Sequence, residues 1–234
     1  MCQTDADTLM DDVHLQVALV LRLGGKVIPT TATLADGSPH RCQHKGPHGR
    51  CNCILDADGI HPSLCQTGGY IIARHDAGVR WIHKWLGQGR TSAPPVLEQG
   101  LPDEDGRLDV VFQDDGRTYW LDFAVTNAGT NSRRHVQTNA RTDGAAARAE
   151  EGVKRWRYHG RALPMVMEAG GRPGASALAF IRAYAQEADE GFSVSASHAW
   201  ASLSSIIQSR TAAGILAAWG PKALHAGRIR LAMP

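Results

Sequence analysis

Residues 107–125 read RLDVVFQDDGRTYWLDFAV, two apolar β-prone runs (Leu108 to Phe112 and Tyr119 to Val125) on either side of Asp115-Gly116. Asp-Gly suits a two-residue hairpin turn, because both central residues need φ > 0 and Gly adopts it freely. Such a turn pairs Asp114 with Arg117, and counting back along the strands sets Asp109 opposite Asp122. Directly opposed side chains have Cβ atoms roughly 5 Å apart, and like charges placed so destabilise a sheet. A cation between the carboxylates turns that repulsion into a binding site. Oxygen-only ligands suit Mg2+ or Mn2+. The plain alternative is that one of the two acids sits at a strand end in water.

Upstream, Ala93-Pro94-Pro95 leads to an expected short strand, Val96 to Glu98, and Glu98 is a candidate third carboxylate. Downstream, residues 127–141 are polar and basic and read as a mobile loop. Thr142-Asp143 can cap a helix over 144–158, in which Ala147, Glu151, Lys154 and Tyr158 share one stripe. A lysine on that stripe can reach a metal-carboxylate centre and stabilise charge building on a phosphoryl group. A strand over Leu163 to Met167 follows, then a helix over 174–188 with Pro173 as its first residue. A final helix spans 196–219. The order β-β-β-α-β-α predicts a mixed α/β sheet flanked by helices. Before it, helices are expected over 9–23 and 69–87.

Between those two helices, residues 29–68 show little periodicity and hold four of the five cysteines. Apart from Cys2, these are Cys42, Cys51, Cys53 and Cys65, interleaved with His44, His48 and His61. A segment with so little apolar content needs another source of order. Four-coordinate Zn2+ supplies it through thiolate and imidazole ligands at short spacing. Cys53, His61 and Cys65 are the firm candidates, and the fourth ligand is either Cys42 or Cys51.

The formal net charge of +2 conceals a strong pattern. Residues 98–122 carry eight acidic and two basic side chains, residues 133–161 eight basic and three acidic. An acidic centre flanked by basic segments suits a polyanion-processing site. The acidic start MCQTDADTLMDDVH lacks a signal peptide's basic and apolar regions, and no apolar run approaches membrane-spanning length. An intracellular chain with metal thiolates rather than disulfides is expected.

Taken together, the Cys/His cluster, GGYIIARHD (68–76), two aspartates thirteen residues apart and a helical lysine resemble a known family. It is the restriction-like endonuclease domain that ends the polyproteins of LINE-type (non-LTR) retrotransposons, within the PD-(D/E)XK nuclease superfamily. The resemblance runs from about Cys42 to about Ala185. It implies a restriction-endonuclease-like core (93–190), an N-terminal helical zinc module (1–92), a C-terminal helical extension (191–234) and a nuclear location. By this likeness Asp109 and Asp122 hold Mg2+, Lys154 is the catalytic lysine, and Arg74-His75-Asp76 lies beside the site, with His75 a catalytic candidate. Arg74, Arg133, Arg134, Arg141, Arg148, Arg155 and Arg157 would contact DNA, or the RNA of a retroelement. Two departures stand out: Leu108 replaces the family's proline before the first acid, and Ala124 replaces the usual lysine two after the second. The expected activity is Mg2+-dependent DNA nicking. The rivals are a catalytically dead zinc-containing nucleic-acid-binding remnant and a zinc-bearing scaffold that meets only proteins.

Overall fold

A computed structural model describes residues 9–29, 33–34, 36–89, 91–100, 106–129, 138–139, 141–187, 195–220, 223–224 and 229–233. In chain order its elements are α1 (Asp12–Arg22), β1 (Lys26–Pro29), β2 (Lys45–Gly46), β3 (Gly49–Arg50), α2 (Ile60–Leu64) and α3 (Tyr70–Gly87). There follow β4 (Ala93–Gly100), β5 (Arg107–Asp114), β6 (Arg117–Thr126), α4 (Ala145–Arg157), β7 (Leu163–Glu168), α5 (Ala175–Glu187), α6 (Ala196–Trp219) and β8 (Ile229–Ala232).

The fold is mixed α/β, built on a mixed four-stranded sheet in the order β4-β5-β6-β7. The first three strands are antiparallel, and β7 runs parallel to β6 after a crossover through α4. Asp115 and Gly116 both take positive φ (47° and 69°), and the turn pairs Asp114 with Arg117 as the sequence predicts. One face of the sheet, carrying Val110, Phe112, Leu121, Phe123, Met165 and Met167, is buried under α3, α5 and α6. The other face packs Val111 and Trp120 against Tyr158 and Ala162 at the end of α4. Because both faces are covered, β5 to β7 read as nearly continuous apolar runs rather than clean alternations.

Helix α6 belongs to two cores. Its first half (Ala199, Leu203, Ile207) packs on the sheet, and its second (Ala212, Ile215, Leu216, Trp219) packs on Val17 of α1, Val27 of β1 and Ile229 of β8. The β1–β8 pairing joins residues some two hundred positions apart, which no local pattern announces. The boundary expected at 92/93 falls between α3 and β4, yet α3 packs on the sheet. The one at 190/191 lies outside the described residues, as does most of the basic stretch 127–141.

Local details depart from the expected ones. Strand β4 has eight residues rather than three; as an edge strand it tolerates Pro94 and Pro95, with a register shift between Ala93 and Val96. Thr142-Asp143 does not cap α4. Gly144 does so at φ 66° without a side-chain bond, and Asp143 pairs with Arg172 instead. Pro173 bridges to Met167, and α5 starts at Ala175. The buried carboxylate of Glu151 accepts the Ser176 N–H at 2.8 Å, filling the place of a cap. Gly174 is required there, since a Cβ would stand 2.3 Å from Glu151 Oε1. No helix among the described residues is long and apolar enough to cross a membrane.

Candidate active site and metal centre

Two clusters of chemistry-bearing side chains emerge. The first lies where β5, β6, α3 and α4 meet. Asp122, midway along β6, is buried and paired with Lys154, which reaches it from α4; their side chains are 8% and 12% exposed. The ladder between β5 and β6 extends from the turn to Val110↔Leu121, one pair short of the two acids. There Asp109 turns its carboxylate to the partner strand, and Oδ2 accepts the Phe123 N–H at 2.6 Å. The same oxygen lies 3.4 Å from His75 Nε2, and His75 Nδ1 is 3.3 Å from Asp76. The imidazole leans on the Phe123 ring, centroids 5.6 Å apart. Asp109, Asp122, Lys154 and His75 are thus neighbours, from four separate elements.

Their electrostatics are coupled. Burial holds the Asp122 carboxyl above the usual range, the Asp109 charge adds to this, and Lys154 opposes it. Burial likewise raises the Tyr158 phenol, helped by Asp122. The Asp109 contact lifts the His75 imidazole above its ordinary value against an opposing effect of burial. A raised histidine stabilises fully below the unfolded value near 6.5 and loses that contribution as pH rises through the folded value. Asp109→Asn is therefore expected to lower the His75 titration midpoint, read by pH-dependent 15N NMR of the ring. A midpoint unmoved by the exchange would contradict the Asp109–His75 contact.

Other candidates are not brought to this centre. Glu98 is exposed, at φ 54° on the edge strand, and its carboxylate pairs with Arg107. Its place as a third metal carboxylate is not supported: the strand's outer edge turns it to solvent. Arg74 is corrected too. It is buried under α6, donates to Thr211 Oγ1 at 3.2 Å, and burial lowers its pKa to about 10. It cannot reach a phosphate outside. Arg141, Arg148, Arg155 and Arg157 are exposed. Arg155 also donates to Ser176 and lies 3.5 Å from Glu151, and the Arg157 guanidinium is 5.4 Å from the Tyr158 ring centre. Arg133 and Arg134 lie outside the described residues.

The second cluster is Cys42, Cys51, His61 and Cys65, whose ligand atoms all lie within 4.8 Å of one another. The Cys42 and Cys65 sulfurs are 3.9 Å apart, and Cys51 Sγ is 3.4 Å from His61 Nε2. Tetrahedral ligands at zinc's bond lengths stand roughly 3.3–3.8 Å from one another, so this set could hold a metal such as zinc. Without such a cation, burial pushes the Cys42 thiol up to about 12. Cys42 and Cys51 flank the β2–β3 hairpin, and Cys65 ends α2. Asp56 accepts from the Ile60 and His61 amides, both at 2.7 Å, and so fixes the helix that carries His61.

The ligand set expected from spacing needs one change. Cys42 and Cys51 both join, while Cys53 is exposed and outside the four. Asn52 between them has φ 57°, and the Cys53 thiol, though it meets that of Cys51, stays exposed. His48 is exposed at the hairpin turn, and His44 is structural: its Nε2 meets the Gly214 carbonyl at 2.8 Å and its ring stacks on Tyr70.

No family model and no curated protein matches this chain. The sequence assigns no role to two residues that stand out on α4 and at its end. Tyr158, four after Lys154, shares the charge environment of Asp122, and Trp156 stands exposed on the same helix. The 3.6-residue stripe flagged Tyr158. Nothing in the sequence distinguishes an exposed tryptophan from a packed one.

Proposed function

We propose that the chain is a metal-dependent DNA endonuclease that nicks one strand, with a restriction-endonuclease-like core and an N-terminal zinc-stabilised module, derived from a LINE-type retrotransposon. The observation that carries this is the meeting of Lys154 with buried Asp122 while Asp109 and His75 lie alongside. A structural ion pair needs only two residues. Here a second carboxylate and an imidazole converge as well, and their charges perturb one another.

Asp109 and Asp122 are the residues that would hold Mg2+ or Mn2+, since both offer hard oxygen donors. When bound, the ion supplies a water of lowered pKa and a Lewis acid at the phosphoryl oxygen. Lys154 contributes fixed positive charge beside Asp122, where charge develops on the phosphoryl group. His75 holds Asp109 in one orientation through Oδ2. Arg141, Arg148, Arg155 and Arg157, with Arg133 and Arg134, supply salt-dependent phosphate contacts of low sequence specificity.

The test is nicking of supercoiled plasmid with and without Mg2+, on the intact chain and on Asp109→Ala. The variant is expected to lose at least ~100-fold in rate while retarding DNA at low salt as the parent does. Nicking that survives the exchange would refute the assignment. A second reading, a catalytically dead remnant that still binds nucleic acid, draws on Ala124 where the superfamily has lysine, on Glu98 turned to solvent, and on Lys154 closing directly onto Asp122. It expects DNA retardation with no cleavage under any divalent ion.

A further inference from the structure

Helix α4 turns Ala147, Glu151, Lys154 and Tyr158 inward. Its outward side is a surface of another kind. Trp156 follows Lys154 by two residues, about 200° around the helix, and is 82% exposed. The other five tryptophans are buried or half-buried. Val153, one turn before Trp156 on the same side, is 57% exposed. The exposed residues from 148 to 157 are Arg148, Ala149, Gly152, Val153, Arg155, Trp156 and Arg157, three of them cations, and the one acid beside them, Glu150, is half-buried.

Gly152 adds an independent observation. It lies mid-helix, where Gly costs about 1 kcal/mol relative to Ala. A Cβ built on it meets nothing within 4 Å, so no internal packing requires the glycine. The missing side chain leaves a low saddle between Arg148 and Trp156, where another backbone can approach the helix closely. A protein partner would want a wider apolar patch than Val153 and Trp156 provide, and it would have to neutralise three arginines. A polyanion with flat apolar rings meets both demands.

We propose that this outward face of α4 binds single-stranded DNA: the strand passes over Gly152, Arg148, Arg155 and Arg157 take its phosphates, and a nucleobase stacks on Trp156. A duplex cannot do this, because its bases already stack on one another. The proposal deepens the endonuclease reading and rests on it for the nature of the target, DNA with an unpaired stretch flanking the phosphate to be cut. The stacking platform lies roughly a helix diameter, 10–12 Å, from the inward side that carries Lys154.

The experiment is fluorescence anisotropy of the full, zinc-loaded chain at low salt, without chelator and without added Mg2+, with labelled oligo(dT) and a duplex of equal length. Base–aromatic stacking contributes about 1–3 kcal/mol per base, so Trp156→Ala is expected to weaken oligo(dT) binding by about 5- to 150-fold and leave duplex binding within about 2-fold. Trp156→Phe should retain most of the affinity, and Gly152→Leu should weaken oligo(dT) alone. Unchanged oligo(dT) affinity in Trp156→Ala overturns the proposal, as does an equal loss on both ligands. So does a sedimentation result in which the parent is a dimer that Trp156→Ala dissolves, since a second copy then covers the face. The two readings fail separately. Trp156-dependent oligo(dT) binding without nicking under any divalent ion sinks catalysis alone, and nicking with Trp156-independent binding sinks this proposal alone.

Discussion

A chain carrying Cys65→Ser, or treated with a strong chelator, is expected to lose the order of residues 41–69 while keeping the four-stranded sheet. That segment has few buried apolar side chains, and the local cluster it forms is Cys42, Cys65 and Ala218 with Cys51 and Leu55 against it. Structural zinc in small modules binds with roughly 10–16 kcal/mol, on the scale of a whole domain's stability. The sheet has its own core under α3, α5 and α6 and should survive the loss. Elemental analysis should find about one zinc per chain in the parent and in Cys53→Ser, and far less in Cys42→Ser, Cys51→Ser or Cys65→Ser. Limited proteolysis should then cut within 41–69 first. A Cys53→Ser variant that loses its metal, beside a Cys42→Ser variant that keeps it, would overturn the ligand set.

Lys154→Met should cost about 3–5 kcal/mol of folding stability near pH 8, because it strips the partner from a buried carboxylate. The sign with pH follows from Asp122. Its carboxyl is already held above the ordinary 3.8 by burial, and without Lys154 it rises further. The folded chain then binds a proton that the unfolded chain releases, so the penalty is full above the raised folded value and fades as pH falls toward 3.8. Urea unfolding of variant and parent at several pH values reads this difference. The double variant Lys154→Met with Asp122→Asn should recover much of the loss, since no uncompensated charge remains. A pH-independent penalty would mean that Lys154 acts through packing of its stem. Under the nuclease reading, Lys154→Met should also abolish nicking even where it is fully folded.

The hairpin was legible in the sequence because its signals are local. Asp115-Gly116 sets the turn, the turn sets the register, and a period of two then carries Asp109 and Asp122 to neighbouring positions. Lys154 followed from helical periodicity, which turns it inward with Ala147, Glu151 and Tyr158. The meeting of Asp109 and Asp122 was nevertheless only approximate. The ladder stops one pair early, and the Asp109 carboxylate takes a backbone amide instead.

Where long-range packing sets the outcome, residue type and spacing were insufficient. Arg74 is a basic residue in a basic-looking helix, yet contact with α6 buries it. Cys53 was a firm candidate from its spacing to His61 and Cys65, yet it stays exposed outside the four while Cys51 joins them. Glu98 reads as an acid on a neighbouring strand, but its own positive φ and Arg107 hold it at the edge. Local propensity and periodicity act over a few residues, so the chain alone established the β-β-β-α-β-α order, the hairpin register and the inward placement of Lys154 toward Asp122. Which thiols converge, which arginines remain in solvent, and how α6 ties two cores together depend on contacts between residues far apart in sequence. Their closure costs and packing gains appear only once the whole chain is folded.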